Sequence, residues 1–476
     1  MMAGRRTPRP TLSPAPFLDP AAIRRPRTVP APPHESEIDM ATTRRSLLGM
    51  AGAGSAALAL AACAGGSTSA GGGGGGKGEE GDGSIQFWSN HPGSSKDLEQ
   101  KIIDAWNKDN PDNQAKLIDG GASYEELGQK FNAALAGGGL PDLIVASDVT
   151  WFNFVFTGTT TAMDDLWKEA EVDSDDFVDT LREDYEYDGK HYGMPYSRST
   201  TLMYFNTEVM KKAGLPTDKG PETWEQFAEW APKILDANGG KPAIVIPDGS
   251  DYLDWFFQGI IWTFGGNYSK EWTPTFTEQG SIDAATFLQE QVAAGHIGIE
   301  KDAANAFSIG NSSGLLQSTG SLGGLKESAE FDFHTTYLPG PTPGACTGGA
   351  GIAIPEGISD ERKVMAMKFA DFLTSTQNTI TFSQATGYMP VRKSAMEDAE
   401  ETKYLEENPN AMTAIRQLSE NTAPQDYARV FVSGGGQRIG AGLDRIAIAQ
   451  EDVATVMKDL QDETQKVIDR DITPNL

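Results

Sequence analysis

Short apolar segments alternate with amphipathic helical segments from residue 85 onward, and this alternation limits the possible folds more than any other feature of the sequence. Residues 85–88 alternate as a strand. Leu98, Ile102, Ile103 and Trp106 then fall on one face at helical spacing. Strands and helices that follow one another in this way are typical of an α/β domain with a mainly parallel sheet.

The second helical segment is bounded by clear start and stop signals. Residues 123–126 have the sequence of a capping box, and Leu127, Phe131 and Leu135 continue one apolar stripe. Three glycines at 137–139 end the helix, and the apolar run 143–145 is typical of a buried strand. These boundaries predict the order strand, helix, helix, strand.

The same pattern continues to the C-terminus. The further predicted strands are 202–205, 243–246 and 352–354. The further predicted helices are 224–234, 253–264, 364–373 and 452–468. Because 476 residues exceed the length at which one hydrophobic core keeps growing, we expect two lobes once any leader is removed.

The charge and the cysteine count exclude several classes of protein. The chain has 39 Lys and Arg against 67 Asp and Glu, which argues against a nucleic-acid partner because phosphate backbones are bound by basic faces. Only Cys63 and Cys346 are present, so neither a disulfide-stapled scaffold nor a cysteine-rich zinc site is expected. His91, His191 and His296 lack metal-ligand spacing. We therefore expect no metal and no cofactor.

Residues 1–62 are predicted to be an export leader. Met1 and Met40 are both candidate start residues, since the first 40 residues are rich in Pro, Arg and Ala without an apolar period. Residues 43–48 contain a twin-arginine pattern, and an apolar stretch of small residues runs from 47 to 62. This stretch is too short for a permanent membrane span and ends at small residues, as a cleaved signal does.

A lipid anchor is predicted at the end of the leader. Residues 60–63 (LAAC) resemble the bacterial lipoprotein box, in which the cysteine, here Cys63, is lipidated. The following segment, up to residue 83, is rich in Gly and Ser and would form a flexible tether with a reach of roughly 25 Å. We expect a monomer anchored on the outer face of the cytoplasmic membrane. The alternative is an ordinary signal peptide with an incidental cysteine.

Four short motifs carry a family resemblance. Residues 203–206 (MYFN), 211–215 (KKAGL), 221–224 (PETW) and 387–391 (GYMPV) resemble signatures of ABC-importer solute-binding proteins for sugars and polyols. The resemblance covers the chain from residue 85 onward. It implies a two-lobed periplasmic-binding-protein fold of type II, a small polar solute, permease subunits as partners, and no enzymatic activity. The expected first lobe comprises 84–195 and 341–390, and the expected second lobe comprises 196–340 and 391–476.

Within that family, the chain is most similar to periplasmic glycerol-3-phosphate-binding proteins. The resemblance implies that Asp148 accepts hydrogen bonds from glycerol hydroxyls and that Arg438 neutralises phosphate. Tyr252 stands where those proteins have a tryptophan, and Trp255 is a second aromatic candidate. The full set of expected ligand-binding residues is Tyr124, Asp148, Ser199, Tyr252, Trp255, Thr319, Ser321, Gly348, Gly349, Tyr388 and Arg438.

The chemistry of these residues agrees with a phosphate ester. An arginine binds two phosphate oxygens at once, and a Thr-Gly-Ser turn at 319–321 can present backbone N–H groups. Carboxylates and aromatic rings suit the hydroxyls and the carbon skeleton of a polyol. The expected ligand is glycerol 3-phosphate or a glycerophosphodiester, and a neutral oligosaccharide is the alternative.

One motif suggests a different class of protein. Residues 310–314 (GNSSG) fit the pattern G-x-S-x-G around Ser312, which would make a secreted serine hydrolase. A nucleophile elbow needs a strand before the serine, and the stretch 303–309 is too polar and broken for one. His334 is the single histidine after Ser312, and it lies in an expected edge strand. The hydrolase is therefore a distant alternative.

Overall fold

The structure is a computed structural model that describes residues 83–475. The predicted leader, the predicted lipidation site Cys63 and the linker up to residue 82 lie outside these residues. Within 83–475, every helix is too short or too polar to cross a membrane.

The described residues form 14 strands and 19 α-helices. The strands are β1 (Ile85–Ser89), β2 (Ala115–Asp119), β3 (Leu143–Ser147), β4 (Glu186–Tyr187), β5 (Lys190–His191), β6 (Met194–Asn206), β7 (Ile244–Pro247), β8 (Ser269–Lys270), β9 (Thr273–Pro274), β10 (Ile297–Glu300), β11 (Gly314–Ser318), β12 (Phe333–Thr336), β13 (Ala345–Ala353) and β14 (Thr422–Ala423). The helices are α1 (Lys96–Asp109), α2 (Tyr124–Gly137), α3 (Trp151–Phe156), α4 (Asp164–Glu169), α5 (Asp179–Glu183), α6 (Thr207–Lys212), α7 (Trp224–Ala237), α8 (Leu253–Thr263), α9 (Gln279–Ala293), α10 (Ala303–Ser308), α11 (Leu322–Ser328), α12 (Asp360–Leu373), α13 (Thr376–Thr386), α14 (Lys393–Met396), α15 (Ala399–Glu407), α16 (Pro409–Glu420), α17 (Tyr427–Val430), α18 (Gly435–Ala447) and α19 (Val453–Val467).

Helix α2 forms where the capping signal predicts it. The Ser123 side chain accepts a hydrogen bond from the Glu126 N–H at 3.2 Å, and the Glu126 carboxylate accepts one from the Ala122 N–H at 2.7 Å. The expectation for Leu135 is wrong, because its side chain is exposed whereas Ala134 is buried. Position 134 lies almost directly above Leu127, while position 135 is rotated by about 80° from it.

The large sheet contains ten strands. Its main path is β10-β7-β11-β6-β13-β3-β1-β2, with β12 paired to β6 and β14 paired to β13. At one end β2, β1 and β3 are parallel, and at the other end β10, β7 and β11 are parallel. The long strands β6 and β13 pair antiparallel with each other and connect the two parallel groups.

Two hydrophobic cores lie along this sheet, and β6 and β13 contribute to both. The first core contains β1, β3 and α1 residues together with Tyr196 from β6 and Ile352 from β13. The second contains α7, α8 and α18 residues together with Phe205 from β6 and Cys346 from β13. The predicted strand 202–205 is thus only the end of a 13-residue strand that spans both cores. This arrangement confirms the α/β class.

Candidate functional site

A cavity of about 280 Å³ lies where several strands end. Segments that follow the carboxyl ends of β1, β3, β7 and β11 meet there, as is usual for ligand sites in open α/β sheets. The lining residues are Asn90, His91, Pro92, Gly93, Ala122, Tyr124, Asp148, Ser199, Asp251, Tyr252, Trp255, Phe256, Gln317, Ser318, Ser321, Gly349, Tyr388 and Arg429.

The structure brings most of the sequence-predicted ligand residues to this cavity. Eight of the eleven line it, namely Tyr124, Asp148, Ser199, Tyr252, Trp255, Ser321, Gly349 and Tyr388. Thr319, Gly348 and Arg438 do not line it. The buried Thr319 hydroxyl instead accepts a hydrogen bond from the Thr200 N–H at 3.4 Å, which ties the turn at 319–321 to β6.

Gly348 lies behind an aromatic ring of the cavity. A Cβ atom at this position would lie 2.5 Å from Cζ2 of Trp255, so the ring can rest on the strand only because the residue is glycine. The indole N–H of Trp255 donates to the Thr347 carbonyl at 3.1 Å. Gly348 therefore positions Trp255 and is not itself part of the lining.

Arg438, which the sequence predicts as the phosphate ligand, does not line the cavity. Its Nε donates to the Thr464 hydroxyl at 3.2 Å and its Nη1 donates to the Ser433 carbonyl at 3.3 Å. These bonds hold the side chain between α18 and α19. The guanidinium that lines the cavity belongs to Arg429, nine residues earlier in the chain.

Arg429 donates hydrogen bonds to three side chains. Its Nε donates to Asp254 Oδ2 at 2.6 Å, and its Nη1 donates to Asp148 Oδ2 at 3.3 Å and to the Gln425 side-chain oxygen. Only 2 % of the residue is exposed. Within residues 83–475, Nη2 has no hydrogen-bond acceptor. The protein thus fixes the guanidinium in place and leaves one of its nitrogens unused.

The electrostatics keep this guanidinium charged. Burial lowers its pKa, but Asp254 and Asp148 outweigh that effect and raise the pKa of Arg429 above its ordinary value. Burial raises the pKa of Asp254 to about 6, although Arg429 opposes this increase. A buried cation with a free N–H group is suited to binding an anionic oxygen.

Three tyrosines and Trp255 give the cavity an aromatic surface. The rings of Tyr124 and Tyr252 lie 6.3 Å apart and are tilted by 54°, and Tyr388 is almost fully buried. The Tyr252 hydroxyl donates to Glu125 Oε2 at 2.9 Å. Tyr252 also has φ +70°, a left-handed conformation that costs about 1–3 kcal/mol for a non-glycine residue. Such strain is typical of a functional site.

Sequence reasoning missed Asn90 and His91, which follow the carboxyl end of β1. Asn90 is 9 % exposed, and its side-chain oxygen has no hydrogen-bond partner among the described residues. His91 Nδ1 lies 2.6 Å from Glu99 Oε2, and Glu99 also accepts a hydrogen bond from Tyr196. The position after a buried strand was the available signal for both residues.

The Ser312 motif does not form a nucleophile elbow. The segment before it is the helix α10 and the segment after it is β11, which reverses the required order of strand and helix. The Ser312 hydroxyl is fully buried and donates to the Gly314 carbonyl at 2.7 Å. In the described part of the chain, no group of three or more His, Cys, Asp or Glu side chains could hold a metal ion.

Comparison with known proteins gives the family. Residues 101–413 match the family model "Bacterial extracellular solute-binding protein". The chain belongs to this family. The family is extracellular, so the protein is exported, and it serves an ABC importer as its solute-binding component.

Two relatives are especially informative. The sn-glycerol-3-phosphate-binding periplasmic protein UgpB of Escherichia coli K12 is 26% identical over 383 residues, which are 76% of this chain and 86% of the relative. The crystal structure of UgpB from Mycobacterium tuberculosis in complex with glycerophosphocholine is 45% identical, with a TM-score of 0.80. It covers 83% of this chain and 100% of that protein.

A more distant structure supports the fold alone. Maltose-bound MalE3 of T. maritima is 20% identical, with a TM-score of 0.70, and covers 81% of this chain and 99% of that protein. Together these structures confirm the predicted two-lobed periplasmic-binding-protein fold. The residue boundaries of the lobes and the lipid anchor at Cys63 stay predictions.

Proposed function

We propose that this solute-binding protein captures glycerol 3-phosphate or a glycerophosphodiester between its lobes. The observation that carries the proposal is the buried Arg429, whose Nη2 has no acceptor among the described residues although the residue lines the cavity. A phosphate oxygen is the acceptor that such a nitrogen prefers. The 45% identical UgpB of M. tuberculosis, crystallised with glycerophosphocholine, supports the same class of ligand.

The rest of the lining suits the glycerol part of such a ligand. Ser199, Ser321 and the side-chain oxygen of Asn90 offer hydrogen-bonding groups for hydroxyls. Asp148 accepts hydrogen bonds through Oδ2 from Arg429 and Gln425 and through Oδ1 from the Val149 N–H, so Oδ1 has a further lone pair for a ligand hydroxyl. The aromatic rings provide apolar surface for the carbon skeleton.

Binding would act through the closure of the two lobes. A ligand that contacts both lobes stabilises the closed arrangement over the open one, and the closed surface is then recognised by the permease. This role needs no bond to be broken, so we propose a monomeric binding protein without enzymatic activity. A lipidated Cys63 and its flexible linker would keep the protein near the permease at the outer face of the membrane.

A neutral oligosaccharide is the alternative ligand within the same importer class. The cavity of about 280 Å³ lies just below the usual range of about 300–1,000 Å³ for small-molecule sites, which favours a compact solute. Burying a charged guanidinium beside two carboxylates also costs desolvation free energy, and an uncharged sugar would not offset that cost. Both points favour the phosphate ester.

Titration calorimetry tests the proposal directly. The purified protein is titrated with glycerol 3-phosphate, glycerophosphocholine and maltotriose, and saturable one-to-one binding of a phosphate ester is expected. Binding of maltotriose alone would keep the importer role and refute the phosphate ligand. Incubation with glycerophosphocholine should release no choline, and release at turnover rates would refute the absence of enzymatic activity.

A further inference from the structure

Besides Arg429 and Asp148, the cavity contains a third charged side chain, which the proposed phosphate site does not use. Asp251 lines the cavity and immediately precedes Tyr252. Within residues 83–475, its carboxylate forms no ion pair with Lys, Arg or His and accepts no hydrogen bond. In contrast to Asp148 and Asp254, which share Arg429, this carboxylate has no cationic partner among the described residues.

The surroundings of Asp251 are acidic. Burial, followed by repulsion from Asp248, Asp302 and Glu125, raises the pKa of Asp251 to about 6. Asp444, on the neighbouring α18, accepts a hydrogen bond from the Gly249 N–H at 2.9 Å and adds another carboxylate to the same region. A partly desolvated carboxylate among other carboxylates is unfavourable unless a cation compensates it. No Lys, Arg or His of the described residues supplies that cation, and a cationic group of a ligand could supply it.

Aromatic rings line the same cavity as this carboxylate. Tyr252 is the next residue, and its ring lies 6.3 Å from that of Tyr124. Asn90, which is nine-tenths buried, adds an unpartnered side-chain oxygen to the lining. Quaternary ammonium groups have no N–H donor, and proteins bind them with aromatic faces and nearby negative charge. The lining thus combines the two features that such a group requires.

We propose that Asp251, together with Tyr124 and Tyr252, forms a subsite for the cationic head group of a zwitterionic glycerophosphodiester. Arg429 then binds the phosphate and Asp251 binds the cationic head group of a ligand that carries both charges. Asp251 therefore selects diesters with a cationic head group over diesters with a neutral one. This inference rests on the proposed function, because it assigns a second part of the same cavity.

The test compares two ligands that share a glycerophosphate part but differ in head-group charge. The affinities of the purified protein for glycerophosphocholine and for glycerophosphoglycerol are measured by titration calorimetry. In Asp251→Asn, the affinity for glycerophosphocholine should fall roughly tenfold, because one charge pair is lost at a partly exposed site. The affinity for glycerophosphoglycerol should stay within about twofold, which also shows that the variant is folded.

Asp302→Asn is the matched control. It removes one of the neighbouring charges, keeps a good N-cap residue for α10, and changes a side chain that does not line the cavity. Both affinities should stay within about twofold of those of the unmodified protein. If Asp251→Asn weakens both ligands equally, or neither, Asp251 is not a head-group subsite even though the proposed function stands. If the unmodified protein binds neither diester, the proposed function fails and this inference fails with it.

Discussion

The exchange of Arg429 for lysine tests most directly how the cavity binds an anion. Arginine has three nitrogens, and here Nε serves Asp254, Nη1 serves Asp148 and Gln425, and Nη2 is unused by the described residues. A lysine has one ammonium on a flexible stem. The single ammonium can stay beside the buried Asp254 or reach the ligand. It cannot do both, because Nε and Nη2 of the arginine occupy two different positions.

The expected loss of affinity in Arg429→Lys follows from the hydrogen bond that the lysine cannot make. The charge is retained, so Asp254 keeps a cation and the fold survives, whereas Arg429→Ala would leave a buried carboxylate uncompensated at a cost of about 3–5 kcal/mol. The ligand loses one charge-assisted hydrogen bond, worth about 1.5–3 kcal/mol. The dissociation constant for glycerol 3-phosphate should therefore rise roughly 10- to 150-fold.

The assay compares Arg429→Lys with a variant of Arg438, the arginine that the sequence predicts as the phosphate ligand. Titration calorimetry with glycerol 3-phosphate is carried out on Arg429→Lys and on Arg438→Ala, and thermal melts report whether each variant is folded. Arg438 is bonded to Thr464 and Ser433, so its replacement should change the affinity by less than about twofold. Normal binding by Arg429→Lys combined with lost binding by Arg438→Ala would refute the assignment of the phosphate site.

Three further predictions concern the rest of the cavity. Gly348→Ala should lower the free energy of unfolding by about 1–3 kcal/mol and weaken ligand binding, because the new Cβ would lie 2.5 Å from Cζ2 of Trp255. A thermal melt and a calorimetric titration measure these two effects, and unchanged stability and affinity would contradict the prediction. Tyr252→Phe should weaken binding roughly fivefold, since about 1 kcal/mol is lost with the hydrogen bond that positions the ring against Glu125. The effect should vanish in a Glu125→Ala background, which has no acceptor for the Tyr252 hydroxyl. The affinity ratio of glycerophosphocholine to glycerophosphoglycerol should fall as the pH drops through about 6, because Asp251, with its raised pKa, loses its charge there. A ratio independent of pH, or a pH dependence that persists in Asp251→Asn, would contradict the last prediction.

The strands and helices with strong apolar periods could be predicted from the sequence, whereas their connections could not. Strand β2 was missed because only Ala115 of its five residues is buried, so an edge strand of this kind has no apolar pattern. Strand β6 was predicted at 202–205 and extends to Met194, since its first half contains Ser and Thr that are buried by tertiary packing alone. For a strand that passes through two cores, the hydrophobic pattern therefore predicts only part of its length.

The candidate site shows the same limit. Residues inside or beside recognisable motifs, such as Tyr124 and Tyr388, could be assigned from the sequence, and both line the cavity. Arg429 and Arg438 could not be distinguished, because both lie in the same glycine-containing stretch near the C-terminus. What separates them is Asp254, which pairs with Arg429 across 175 positions of the chain and exists as a partner only in the folded protein.

Three features of this cavity disagree with ordinary rules of folding. Tyr252 has a left-handed backbone conformation. In the part of the chain that the structure describes, the buried side-chain oxygen of Asn90 has no hydrogen-bond partner and the partly buried carboxylate of Asp251 has no cationic partner. Each of these is unfavourable for the ligand-free protein, and each lies where a solute could compensate it. A ligand that satisfies Asn90, Asp251 and the unused nitrogen of Arg429 removes several of these costs together. Such a ligand therefore stabilises the protein through the same residues that recognise it. A solute that lacks either the negative phosphate or the positive head group stabilises the protein less.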